Sequence, residues 1–161
     1  MYAIKDPLTN TSWGDVRTNS NLYSQSITAS STTVTSTSTA LDWSTKLGWK
    51  FDFNKARERL NTDMTLQYTT LVFSTTVPES TTCTPAGSSW DYNVDIVTGH
   101  VEGERAGNYM TVGVSTVALT TDGETRLITL RRKHTGETTW KTGAEAPKDS
   151  ARRTSWRELI D

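Results

Sequence analysis

Asp91 and Asp95 lie four residues apart in the run Trp90–Ile96, a spacing that puts both carboxylates on one face of a strand. Two carboxylates so placed can hold a cation or share acid–base work. The competing role is structural: polar residues on the solvent side of a strand, with Asp95 capping the turn that follows. His100 and His134 are the only histidines. Neither has further ligands near it at a zinc-site spacing, so both read as exposed polar residues. Serine is plentiful enough for a Ser-His-Asp arrangement, but no G-x-S-x-G elbow occurs. The single cysteine, Cys83, excludes an intrachain disulfide and any site built on several thiols. It reads as a small buried or loop residue or, outside the cell, as a thiol for another chain or a further part of its own. No metal or cofactor is expected, and no catalytic residue is assigned.

Basic residues gather at Arg131-Arg132-Lys133-His134 and at Arg152, Arg153 and Arg157, near Trp140 and Trp156. Arginine beside an aromatic ring can stack nucleic-acid bases. From Arg131 to Asp161, however, eight Lys or Arg stand against five Asp or Glu, a weak local excess. Solvated faces, or Arg–Trp stacking between strands, account for the same residues. The whole chain carries a net charge of −1. It offers no field to gather nucleic acid or an anionic membrane.

The elements that must position these residues read as strands. The chain has 161 residues, the size of one domain, 1–161. Hydrophobic residues make up 34%, and Ser and Thr fill much of the rest, a composition that favours exposed β structure. Met1–Asp6 alternates like a strand and does not read as a signal peptide, so any export signal is expected elsewhere. No apolar run approaches the ~18 residues of a membrane helix. In Ser24–Thr39 twelve of sixteen residues are Ser or Thr. That stretch is either a linker or, as preferred here, an antiparallel pair on a wet edge carrying Ile27 and Val34. In Lys46–Phe53, Leu47, Trp49, Phe51 and Phe53 share one face. Ala56–Leu60 is too short for a helix and reads as a turn or strand entry.

Leu66–Thr76 and Trp90–Ile96 read as strands joined by a loop rich in Pro, Ser, Thr and Gly. Asp95-Ile96-Val97-Thr98-Gly99 closes the second with a tight turn: Asp and Thr bind nearby backbone, and Gly takes positive φ. Tyr109–Leu119 is a strand with a bulge at Gly113, and Thr121-Asp122-Gly123-Glu124 is a hairpin turn. In Leu127–Arg131 apolar residues on both faces suggest burial on both sides. Glu137–Gly143 and Ala144–Ser150 are polar, and Arg153–Leu159 reads as a strand or a short helix. No helical period of any length appears. The expected class is all-β.

Three islands resemble the C-terminal region of the PilC/PilY family of type IV pilus tip-associated adhesin and biogenesis proteins. The first is Asp42-Trp43-Ser44-Thr45-Lys46-Leu47-Gly48-Trp49-Lys50-Phe51-Asp52-Phe53. The second runs from Val77-Pro78-Glu79-Ser80-Thr81-Thr82-Cys83-Thr84-Pro85-Ala86-Gly87-Ser88-Ser89-Trp90 to Asp95-Ile96-Val97-Thr98-Gly99. The third is Ala151-Arg152-Arg153-Thr154-Ser155-Trp156-Arg157-Glu158-Leu159. The resemblance implies a partial β-propeller of the quinoprotein-like type, and it tips Arg153–Leu159 to a strand. A blade takes ~40–45 residues, so about three four-stranded antiparallel blades are expected. Trp43, Trp49, Trp90 and Trp156 would anchor blade packing, with Cys83, Gly87, Asp95 and Gly99 as motif residues. The family's calcium loop of closely spaced aspartates is not carried by this sequence. The implied function is noncatalytic: blades that dock to minor pilins, the rest of a tip protein, or a host or abiotic surface. The expected location is extracellular, at the pilus tip or outer membrane. The alternatives are part of a pyrroloquinoline quinone dehydrogenase, which shares the D-x-x-T-G turn, and a carbohydrate-binding β module using Trp13 or Trp140.

Overall fold

β-branched and aromatic residues in short runs, broken by turn formers, give thirteen strands and no helix among the described residues. The structure is a computed structural model that describes residues 1–6, 8, 14–37, 41–79, 87–122 and 124–145. Cys83, Trp156, Trp13 and the expected strand Arg153–Leu159 lie outside them. The strands are β1 (Tyr2–Ile4), β2 (Leu22–Ser24), β3 (Ile27–Ala29), β4 (Thr33–Ser36), β5 (Gly48–Lys50), β6 (Arg59–Leu60) and β7 (Thr65–Gln67). They continue as β8 (Thr70–Pro78), β9 (Gly87–Asp95), β10 (Val101–Gly107), β11 (Thr111–Thr121), β12 (Glu124–Lys133) and β13 (Thr138–Glu145).

They divide into sheets of three, seven and three strands rather than into leaves of four. The first has the order β1-β5-β2, with β2 parallel to β5. The central sheet runs β3-β4-β10-β9-β8-β6, with β7 also on β8, and is curled into a half-barrel. The third is the meander β11-β12-β13. The Ser/Thr-rich segment is the hairpin β3–β4, turned at Ser30–Thr32, with β3 on the sheet edge. The Gly113 bulge appears as a register shift between Thr111 and Gly113.

Several expectations are corrected. Leu66–Thr76 is two strands, because Tyr68 takes φ +54° and turns β7 back onto β8. A non-glycine residue there is uncommon, so composition did not signal the turn. The polar segment Glu137–Gly143, which carried no strand signal, supplies most of β13, paired along β12. β12 is buried chiefly on one face: Leu127, Thr129 and Arg131 are buried, while Ile128 and Leu130 are half-buried and Arg126 is exposed.

The core lies between the first sheet and one face of the central sheet. Val34, Phe73, Trp90, Tyr92, Val94 and Val101 close over Trp49 and Phe51. An unbroken aromatic series crosses this layer. Trp49 stacks on Phe51 at 5.9 Å, Phe51 meets Phe53 at 5.8 Å, and Phe53 meets Phe73 and Tyr92 at 6.2 and 5.4 Å. Phe73 and Tyr92 stack at 5.3 Å across β8 and β9. Such pairs add about 0.5–1.5 kcal/mol each beyond the area they bury. The Tyr92 hydroxyl escapes burial without a partner by donating to Glu58 Oε1 at 2.6 Å, and Thr75 donates to the same oxygen at 2.5 Å. Burial first, and then the neighbouring Glu58, push the Tyr92 phenol far above its ordinary value.

Phe73 is fully buried in this series. Phe73→Ala is expected to cost about 3–5 kcal/mol of unfolding free energy. Urea titration followed by far-ultraviolet circular dichroism measures it, and a loss under about 1 kcal/mol would contradict the core described here.

Candidate functional site

Two features assemble the residues singled out above. The first is the turn after β9. Asp95 Oδ1 accepts the amides of Val97 and Thr98 at 2.8 and 3.2 Å, and the Gly99 amide donates to the Asp95 carbonyl at 2.8 Å. Gly99 takes φ +72°, and a Cβ there would stand 2.6 Å from Trp49 Cγ. Glycine is therefore required twice, for its backbone angle and for the indole lying against it. Three successive carbonyls of the turn each receive a donor from a distant segment. Trp49 Nε1 donates to Ile96 at 3.0 Å, Trp43 Nε1 to Val97 at 2.8 Å, and Gln25 Nε2 to Thr98 at 3.0 Å. Trp43, Trp49, Asp95 and Gly99 are thus one clip. Trp90 lies apart from it on the apolar face of β9, with Lys55 Nζ 4.4 Å over its ring. Gly87 begins β9 opposite Pro78.

The second feature is a polar cleft on the other face of the central sheet, covered by the third sheet. Cross-strand register aligns Ser74, Asp91, Glu104 and Thr33 in one row over β8, β9, β10 and β4. Alternation makes this the opposite face from Trp90 and Tyr92. Arg131 of β12 reaches into the row, and Lys141 of β13 reaches Glu104. Arg131 Nε forms an ion pair with Asp91 Oδ2, and its Nη2 stands 3.8 Å from Glu104 Oε1. Lys141 pairs with the same Glu104 oxygen. Ser74 Oγ donates to Asp91 Oδ1 at 2.5 Å. Around them lies a hollow of about 280 Å³, with a neighbour of about 170 Å³ lined by Asp95, His100 and Glu102.

This placement corrects two expectations. Asp91 and Arg131 are not solvated: they are 7% and 6% exposed, and each neutralises the other between the sheets. Asp91 and Asp95 do share a face, but each is already committed, one to Arg131 and Ser74, the other to turn amides. Burial holds the Asp91 carboxyl above its ordinary value, against the pull of the Ser74 hydroxyl and the Arg131 guanidinium. His100 is not an exposed residue either. Its Nδ1 meets Ser36 Oγ at 3.1 Å and its Nε2 stands 3.6 Å from Glu102. This Ser-His-Glu chain has the composition of a nucleophilic triad. Its serine, however, is 6% exposed, and its Oγ already accepts the Val101 amide at 2.9 Å. The chain therefore ties β4 to β10. His134 stays exposed, with Nδ1 accepting the Met110 amide at 3.4 Å. The cations that do stack on rings are lysines, Lys55 on Trp90 and Lys133 on Tyr109. Trp140 stands 68% exposed on β13.

No group of three or more His, Cys, Asp or Glu that could hold a metal occurs among the described residues. No helix among them is long and apolar enough to cross a membrane. The tight turn of the clip was legible as D-x-x-T-G, but the tryptophans that hold it were not. Nor was the cleft, because Asp91 and Arg131 stand forty positions apart and carry no mutual signal in the sequence. No family model, curated protein or solved structure matches the chain.

Gly99→Ala is expected to destabilise by more than about 1 kcal/mol, since the methyl group must displace the Trp49 ring; thermal unfolding measures it. Arg131→Met leaves Asp91 buried without its cation and is expected to cost about 3–5 kcal/mol at neutral pH. The folded state holds the Asp91 proton more tightly than the unfolded chain does. The deficit of Arg131→Met should therefore shrink as pH falls toward the range where Asp91 protonates, and grow as pH rises through it. Adding Asp91→Asn should recover most of the loss, which urea titrations at several pH values would show.

Proposed function

We propose that this chain is a noncatalytic β component of a type IV pilus biogenesis and tip-adhesion protein of the PilC/PilY type. On this reading the sheets contribute blades to a quinoprotein-like β-propeller. The strands β8, β9 and β10, with β4 alongside, make up one blade, and β11, β12 and β13 belong to a second. The platform docks to minor pilins or other parts of the tip protein, and through them to a host or abiotic surface outside the cell.

The observation that carries the reading is the clip. Two of the three islands that resemble the family, Asp42–Phe53 and Val77–Gly99, meet through Trp43, Trp49, Asp95 and Gly99. Residues that carry a resemblance and also interlock form one structural unit, as expected of a rigid element kept for docking. The cleft supports a mechanical role as well. Its buried charges, Asp91 and Arg131, are spent on each other across the sheets, and half-buried Glu104 and Lys141 pair beside them, which fixes the two sheets in one relative position.

The reading predicts that deleting the gene abolishes or sharply reduces twitching motility and surface attachment in the parent bacterium. Purified chain should co-purify minor pilins from that bacterium, and Gly99→Ala should weaken the capture. Unchanged motility and attachment in the deletion strain would remove the proposal.

A further inference from the structure

The two hollows between the central and third sheets, of about 280 and 170 Å³, share Asn93, Glu102, Thr129 and Gly143 in their walls. Cross-strand register sets Glu102 of β10 opposite Asn93 of β9, with Asp95 two residues along on the same face. Leu127 and Thr129 of β12 line the smaller hollow from the third sheet. Gly143 brings no side chain into either.

The walls carry an excess of negative charge. Asp91, Asp95, Glu102 and Glu104 line the pair of hollows against two cations, Arg131 and Lys141. Both cations are engaged at the larger hollow, on Asp91 and Glu104. The excess therefore falls at the smaller one. Asp95 spends Oδ1 on the amides of Val97 and Thr98, which leaves Oδ2. Glu102 stands 3.6 Å from His100 Nε2, too far for a hydrogen bond, and its side chain is 65% exposed, so it sits where the hollow meets solvent. Acidic residues alone would be a solvated patch. Thr129 separates this place from one: it lines both hollows, is only 7% exposed, and its hydroxyl has no hydrogen-bond partner among the described residues. A buried hydroxyl left without a partner costs free energy, and a donor entering the hollow satisfies it.

The donor set selects the class of ligand. No three His, Cys, Asp or Glu among the described residues come together as metal ligands, whereas a calcium ion needs oxygens converging at about 2.3–2.6 Å. A primary ammonium group instead donates three hydrogen bonds at about 2.7–3.2 Å, so acceptors on two facing sheets can share it. The lining residues of the smaller hollow include no aromatic ring, the group that recognises quaternary ammonium. Buried Leu127 gives it an apolar wall for a short alkyl chain.

We propose that the smaller hollow binds a primary alkylammonium ion of a few carbons. The ammonium meets Glu102, Asp95, the Asn93 side-chain carbonyl and the Thr129 hydroxyl, and the chain lies along Leu127. The amine thereby bridges β9 and β10 to β12 and reinforces the docking of the third sheet. The inference stands apart from the pilus reading and survives its failure.

The test is a titration of the full chain with n-butylammonium chloride at neutral pH, followed by amide chemical shifts in nuclear magnetic resonance spectra. The amides of Asn93, Glu102 and Thr129 should shift saturably, and the thermal unfolding midpoint should rise with amine concentration. n-Butanol, sodium chloride and choline chloride at equal concentration should do neither. Glu102→Gln removes the charge at an exposed position and should weaken binding about tenfold or more, with the ligand-free unfolding midpoint unchanged. Thr129→Val should weaken it about threefold or more. Absent or unsaturable shifts in the unsubstituted chain overturn the proposal. So does an equal response to n-butanol or choline, tighter binding of calcium chloride, or unchanged affinity in Glu102→Gln.

Discussion

The structure depends on β9 being covered on both faces by different chemistry. One side presents Trp90, Tyr92 and Val94 to the aromatic layer, and the other presents Asp91 to an arginine from the third sheet. Strand alternation makes these two faces inseparable. A one-residue slip of β9 would put Tyr92 into the polar cleft and Asp91 among phenylalanines. The register of β9 against β8 and β10 is thus specified from both sides at once.

The two faces do different work. The apolar face supplies stability through buried rings, and its polar groups are satisfied: Glu58 accepts from the Tyr92 and Thr75 hydroxyls, and the Ile96 carbonyl from the Trp49 indole. The polar face supplies orientation. A buried ion pair seldom adds much net stability over an apolar pair, but it does penalise any docking of the third sheet that separates its charges. Ser89 adds a second tie: its hydroxyl donates to the Tyr109 carbonyl at 2.5 Å and accepts the Thr111 amide at 2.8 Å where β11 begins. The Asp95–Gly99 turn links the two faces. It ends β9, and the tryptophan that holds it also opens the aromatic series.

Local pattern carried much of the fold into view. Trp49 and Phe51 are buried as their alternation requires, with Asp52 exposed between Phe51 and Phe53. The hairpin of Ser24–Thr39 followed from β-branched residues around Val34, which is 2% exposed. Asp95, Thr98 and Gly99 act as their types dictate, because a cap and a positive φ are properties of a few adjacent residues. Tyr68 defeated the reading of Leu66–Thr76, since a tyrosine with positive φ turns the chain without turn composition. Glu137–Gly143 gave no strand signal of its own: a polar strand is made by its neighbour β12, not by its own hydrophobicity.

By itself, then, the sequence determined the strand class, the faces of the strong strands and the tight turn after β9. These depend on dihedral preference and side-chain alternation over a few residues. Only the tertiary structure decided that Asp91 and Arg131 are buried partners, that Ser36 reaches His100, and that three donors converge on one turn. A charged residue on a strand reads as solvated until another sheet lies over it. Which sheet that is depends on long-range packing, where the cost of burying one charge is met only by the other.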